Sequence, residues 1–423
     1  MRLRRYLALT ILGALLALPA GARAQGAVNA NGGIKLGDVF VLHLGMGTEV
    51  QWDSNIFYES KNESSAFVLR LSPGFDLTNA PRQASRQIRL DLHGTLNYLE
   101  YLTGDKSISQ HRQFSVDAGL QAAFFATNPY NFTIFDNYVR TTQPPYLKVP
   151  YNLDRDTNQV GVRVNLSPGG GRLSFYIGYL FGIDFFEVDS LKAFDTLYHS
   201  FELRASWRFL PKTAVYIAAG ETIYTYPHPG VYAHPASYPF HIQAGLQGLI
   251  TTKLTVNLWV GYGNGFYVSG PSPNTAVGGL ALTWKPTMLS SGTLGYQHDF
   301  QNSLLGSYFD VDQVYASWTQ LIWRFTGFLR IGYANQRYQG IQPDPMTQPP
   351  SAETNPNRAD NIFTLNARGD YPFKDWLFGS VGYDLALDRS NGMLNLGNGV
   401  GQPGLIPVDY TKHVVYLRLT VSY

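Results

Sequence analysis

Histidines, carboxylates and hydroxyls are what a catalytic or metal site is built from, and here they do not converge. Nine histidines are scattered along 423 residues. The chain has no His-Glu-x-x-His spacing, no Gly-x-Ser-x-Gly elbow and no phosphate loop. His228 and His234 share the Pro-rich loop from Pro227 to Pro235 and could bind a metal. Two imidazoles, however, fall short of a four-coordinate zinc shell. The expectation is therefore no enzyme, no cofactor and no metal. What does recur is a set of polar residues at alternate positions: Arg70, Arg89, Asp91, Arg163, Tyr176, Asp184, Arg204, Arg208, Arg330, Arg368, Asp384, Tyr416 and Arg418. Their signs are mixed, so no anion or cation preference follows. Such a face is either the wall of an aqueous lumen or a salt-bridge lattice that stiffens that wall.

Alternation of this kind needs strands. In the last ten residues Val415, Leu417, Leu419, Val421 and Tyr423 fall on one face, and Val414, Tyr416, Arg418, Thr420 and Ser422 on the other. A helix would scatter that set around its axis. Leu173, Phe175, Ile177, Tyr179, Phe181, Ile183 and Phe185 repeat the pattern, with Ser174, Tyr176, Gly178, Gly182 and Asp184 behind them. Eighteen such segments are expected, near 39–54, 65–78, 86–102, 111–126, 131–142, 155–167, 172–186, 194–209 and 212–225 in the first half. The second half supplies 237–250, 253–267, 274–285, 290–302, 309–323, 325–338, 358–371, 374–389 and 409–423. Facing is ambiguous in 131–142 and 212–225, which leaves sixteen strands as the alternative.

Each segment meets the roughly 9–11 residues that a tilted strand needs to cross a bilayer. Connections alternate too: Leu210-Pro211 and Pro372-Phe373 are tight, whereas Gln143 to Asp154 and Gln339 to Asn357 are long. Short periplasmic turns opposite long outer loops are the rule for membrane barrels. Aromatics gather at segment ends, with Trp207, Phe209, Trp284, Trp323, Phe325, Phe373 and Tyr423 on the short-turn side. Tyr224, Tyr226, Phe266, Tyr267, Phe300, Tyr338 and Tyr410 mark the other, and both sets are expected at lipid–water boundaries. The fold class is thus all-β: a transmembrane, antiparallel, up-and-down β-barrel.

Composition agrees. Charged residues make up 15% against the ~25% of soluble domains. Arg2, Arg4 and Arg5, an apolar run from Tyr6 to Leu18 and the exit Ala22-Arg23-Ala24 form a cleavable secretory signal over residues 1–24. Its removal leaves 28 basic and 30 acidic residues, which gives no basic patch for nucleic acid. Residues 25–38 are expected to be a short periplasmic segment and 39–423 the barrel, integral to the outer membrane. There is no cysteine, hence no disulfide framework and no lipoprotein anchor.

Two stretches go beyond composition. The final strand, with Leu417, Leu419 and Val421 alternating to a terminal Tyr423, resembles the assembly signal that barrel-assembly machinery reads. Trp52-Asp53-Ser54-Asn55-Ile56-Phe57, followed by Leu71-Ser72-Pro73-Gly74-Phe75-Asp76-Leu77, resembles the start of outer-membrane barrels associated with exopolysaccharide export, of the Wzp and alginate-pore kind. The match covers residues 45–78. It implies a secretion pore for a polysaccharide, partnered by a periplasmic polysaccharide-export protein. From residue type alone, Asp53 and Asn55 are turn-formers at the top of a hairpin. Beside the secretion pore stand a diffusion porin or nutrient channel and a closed barrel serving as adhesin or structural anchor.

Overall fold

The computed structural model describes residues 32–79, 87–141, 154–228, 236–303, 306–341, 355–395 and 405–423. The expected leader lies outside them. A short strand, β1 (Ile34–Leu36), precedes the long strands β2 (Phe40–Asp53), β3 (Ala66–Asn79), β4 (Ile88–Leu102), β5 (Gln113–Phe124), β6 (Tyr130–Thr141) and β7 (Arg155–Leu166). They continue as β8 (Leu173–Phe186), β9 (Thr196–Leu210), β10 (Thr213–Thr225), β11 (Phe240–Leu249), β12 (Leu254–Asn264) and β13 (Asn274–Thr287). The series then runs through β14 (Ser290–Asn302), β15 (Tyr308–Ile322), β16 (Phe325–Gln339), β17 (Ala359–Lys374) and β18 (Leu377–Ser390). After the small hairpin β19 (Met393–Asn395) and β20 (Leu405–Pro407), β21 (Tyr410–Ser422) completes it. Every long strand lies within three residues of its expected segment, including the two whose facing was ambiguous.

Each long strand pairs antiparallel with its sequence neighbours, and β21 pairs with both β18 and β2. The seam is in register at Met46↔Val421, Thr48↔Leu419 and Glu49↔Arg418. Eighteen strands therefore close into a ring with no free edge, which satisfies every ladder hydrogen bond a bilayer would leave unmet. Below the seam β1 folds back on β2, with Ile34 opposite Leu42, so part of the expected periplasmic segment is strand. The ring holds there because β1 takes the β2 edge that β21 no longer reaches; β21 ends where Tyr423 exchanges backbone hydrogen bonds with Leu44.

Alternation now has a physical meaning. Val260 (63% exposed), Leu417 (60%) and Ile217 (60%) stand on the outer face beside Leu203, Leu294 and Val381. A continuous apolar belt like this is stable only against lipid. Trp207, Trp284, Trp323, Phe325, Phe373 and Tyr423 are exposed at the short-turn end, as a periplasmic aromatic girdle requires. Trp323 even accepts a left-handed backbone (φ 56°) in the two-residue turn between β15 and β16.

The outer girdle is corrected at four of its seven positions, while Phe266 is exposed. Tyr338, Tyr410 and Phe300 are buried, and Tyr224 lies on the inner face of β10. Even spacing gave these rings a place at the strand ends but not a face. They pack inside the barrel rather than against lipid.

Candidate functional site

The inner wall is built by the polar half of each strand. Arg418 on β21 donates from Nε to Glu49 at 2.7 Å, and Arg70 on β3 approaches the same carboxylate at 3.3 Å. Register sets this triad, since Glu49 sits opposite both Arg70 and Arg418. Arg368 reaches Asp370 at 2.9 Å, and Asp384 accepts a hydrogen bond from Asn366 at 2.9 Å. Asp184 is ion-paired with Arg155, a residue that strand patterning did not single out because the partner lies across the β7–β8 ladder. Arg89 and Arg208 stand exposed near the short-turn ends of β4 and β9, and Asp91 touches His93 at 3.4 Å.

A second device recurs on this wall. Tyr216 lies over Gly245, Tyr315 over Gly295, and Tyr416 over Gly382, so close that a Cβ at any of these glycines would overlap the ring. On their other side Arg204 stacks on Tyr216 (3.8 Å) and Arg330 on Tyr315 (4.4 Å), with Arg418 5.7 Å from Tyr416. Arg163 sits likewise over Phe135 at 4.1 Å, with Gly161 against that ring. Each ring fixes the direction of a long, otherwise floppy guanidinium. Arg204 also donates to Gln247 at 2.6 Å. Arg330 is only 6% exposed, and neither its Nε nor its Nη2 has a hydrogen-bond partner among the described residues. Tyr176, Glu202 and Arg204 line a recess of about 300 Å³ on the same wall.

Above the β2–β4 arc the interior is filled. The connection after β2 does not project as a simple hairpin turn. Asn55 is fully buried; its Nδ2 donates to the carbonyls of Glu59 (2.8 Å) and Thr411 (3.0 Å), and its Oδ1 accepts from the Glu59 amide (2.7 Å). Asp53 pairs with Lys412 at 2.6 Å, and the Lys412 ammonium lies 4.0 Å from the Tyr58 ring centre. Ile56 and Phe57 pack with Ala66, Val68, Tyr101 and Ile108, the last from the single-turn helix α1 (Lys106–Ser109). Tyr58 covers Ile362, Ala386 and Tyr410. Of the two stretches that carried the polysaccharide-barrel resemblance, the first therefore folds inward at Asn55 to Tyr58 and holds a plug of apolar side chains, whereas Leu71 to Leu77 stay in the wall as part of β3. Two apolar residues after Asn55 drive this, since inside they leave water and above the mouth they would not.

Opposite the plug, the β7–β11 wall and β14 enclose a cavity of about 640 Å³. Its lining includes Gln159, Tyr198, Ser200, Glu202, Thr222, Tyr224, His241 and Gln243. Gln159 donates to the Tyr198 hydroxyl at 2.7 Å, and Thr222 to Ser200 at 3.0 Å. His241 stacks on Phe300 (4.7 Å) and meets Asp299 at 3.2 Å. At the rim burial pushes the Tyr226 phenol upward, so it remains a protonated donor at neutral pH. His228 pairs with Asp195 at 3.0 Å, while His234 lies outside the described residues. Among the described residues no three metal-capable side chains cluster.

No family model matches the chain, and no curated protein sequence matches it. Solved structures of Pseudomonas aeruginosa outer-membrane barrels are similar in build. The OccK2 (OpdF) structure has a TM-score of 0.49 at 11% identity, covering 92% of this chain and 99% of its own. The outer membrane protein opdK gives 0.47 at 11%, covering 90% and 99%. The siderophore receptor PirA gives 0.46 at 9%, covering 90% and 80%. At such values the likeness is one of general architecture, and no solute or partner passes from those proteins to this one.

Proposed function

We propose that this barrel is an outer-membrane diffusion channel for small polar solutes, the porin or nutrient-channel reading, and not a secretion pore for a polymer. One observation carries the proposal: an inward-folded plug on one arc faces a polar cavity of about 640 Å³ on the other. That volume falls in the ~300–1,000 Å³ range of small-molecule sites. A polysaccharide chain needs an uninterrupted wide lumen, and the buried Ile56–Phe57 cluster stands against one. Hydroxyls, amides and paired charges at many positions would bind a passing solute weakly and release it, as conduction requires.

Deleting the gene in the source bacterium separates the readings. The channel reading expects slower uptake of small polar solutes with surface polysaccharide unchanged. Loss of surface polysaccharide with unchanged uptake would overturn it in favour of an export pore working with a periplasmic partner.

A further inference from the structure

We propose that the cavity between the β7–β11 wall and β14 is a binding site for a neutral saccharide of one or two rings. It rests on the channel reading only in that the site lies along the passage. Charge is the first argument. Among the described residues the one arginine in the lining, Arg155, is already ion-paired with Asp184, and those residues leave no other guanidinium or ammonium to hold a solute carboxylate. Glu202 and Glu221 add carboxylates that repel anions and accept from hydroxyls. Buried or half-buried amides and hydroxyls, Gln159, Gln243, Ser200 and Thr222, supply both donors and acceptors without net charge. That set suits a molecule whose edge is all hydroxyl.

Shape is the second argument. The Tyr198 ring is pressed against Gly182, where a Cβ would overlap it. One face of the ring is therefore used by the wall, and the ring is held as a rigid platform lining the cavity. Tyr224 lies 5.5 Å from it at 33° and extends the platform toward the rim. A sugar ring has an apolar C–H face to lay on such a surface and hydroxyls around its edge for the amides. A dicarboxylate has no such face, and a diamine would meet the carboxylates Glu202 and Glu221 but leave the ring face and the amides unused. Gly182 and Tyr198 are directly paired across β8 and β9, so the platform is a property of register and not of a loop.

The test is calorimetric titration of the full-length barrel in detergent micelles with maltose, succinate and lysine. Maltose is expected to bind saturably and more tightly than the other two. Tyr198→Ala should weaken it about tenfold, near the upper worth of an aromatic contact. Tyr198→Phe keeps the platform and loses only the hydroxyl, so binding should stay within about threefold. Heat-modifiable migration on gels checks that each variant is folded. Absence of saturable maltose binding, tighter binding of succinate or lysine, or unchanged affinity in Tyr198→Ala would each overturn the proposal. Planar-bilayer conductance separates it from the channel reading. A conducting barrel that ignores maltose loses the site and keeps the channel, whereas a maltose-binding barrel that never conducts does the reverse.

Discussion

Glu49 shows what single residues contribute. It is 3% exposed and gripped by Arg70 and Arg418 from the strands on either side. Removing its charge leaves two guanidinium groups facing each other across the seam. Glu49→Ala is expected to destabilise the barrel by about 3 kcal/mol, the low end for breaking a buried pair, because the lumen side admits some water. Urea unfolding in detergent would read this as a lowered midpoint. Midpoints equal to the parent would mean that the triad is ornamental. A shared polar face for Arg70, Arg204 and Arg418 was legible in the sequence, since a period of two needs no tertiary information. Partners were not. Arg155 meets Asp184, and Tyr198 meets Gly182, through cross-strand register, which local alternation does not encode.

At the scale of elements, the segment from Ser54 to Ser64 departs furthest from expectation. Asp, Ser and Asn after a strand read as a turn, and the strand before them does end there. What the residue types could not tell is that Ile56 and Phe57 would turn into the lumen instead of projecting above it. The rings Tyr338 and Tyr410 misled for a related reason: an aromatic at a strand end suits either a lipid boundary or a packed interior. Asn55 is the fulcrum, with three side-chain hydrogen bonds that tie the segment to itself and to β21. Asn55→Ala leaves buried partners unmet and should cost about 2 kcal/mol locally. We expect the plug to loosen and mean single-channel conductance to rise while the barrel still assembles. A conductance at or below that of the parent would show that the segment does not narrow the mouth.

The whole molecule is a closed ring of eighteen long strands whose outer face is apolar and whose inner face is polar, with one arc plugged and the other hollow. Number and order of strands were readable because alternation, tight turns and long connections all repeat along the chain. The eccentric interior was not, because it arises only when distant strands meet. The chain contains no cysteine, so a single introduced thiol reports its own surroundings. Leu203 on β9 is 55% exposed on the outer face, and Glu202 beside it is exposed at the cavity wall. Labelling of Leu203→Cys and Glu202→Cys in proteoliposomes with a charged, membrane-impermeant maleimide therefore tests the account most directly. Reaction at position 202 with protection at 203 is the expected result, since one thiol faces water and the other lipid. Equal labelling of both, or labelling of 203 alone, would contradict a membrane-spanning barrel with a water-filled passage along this wall.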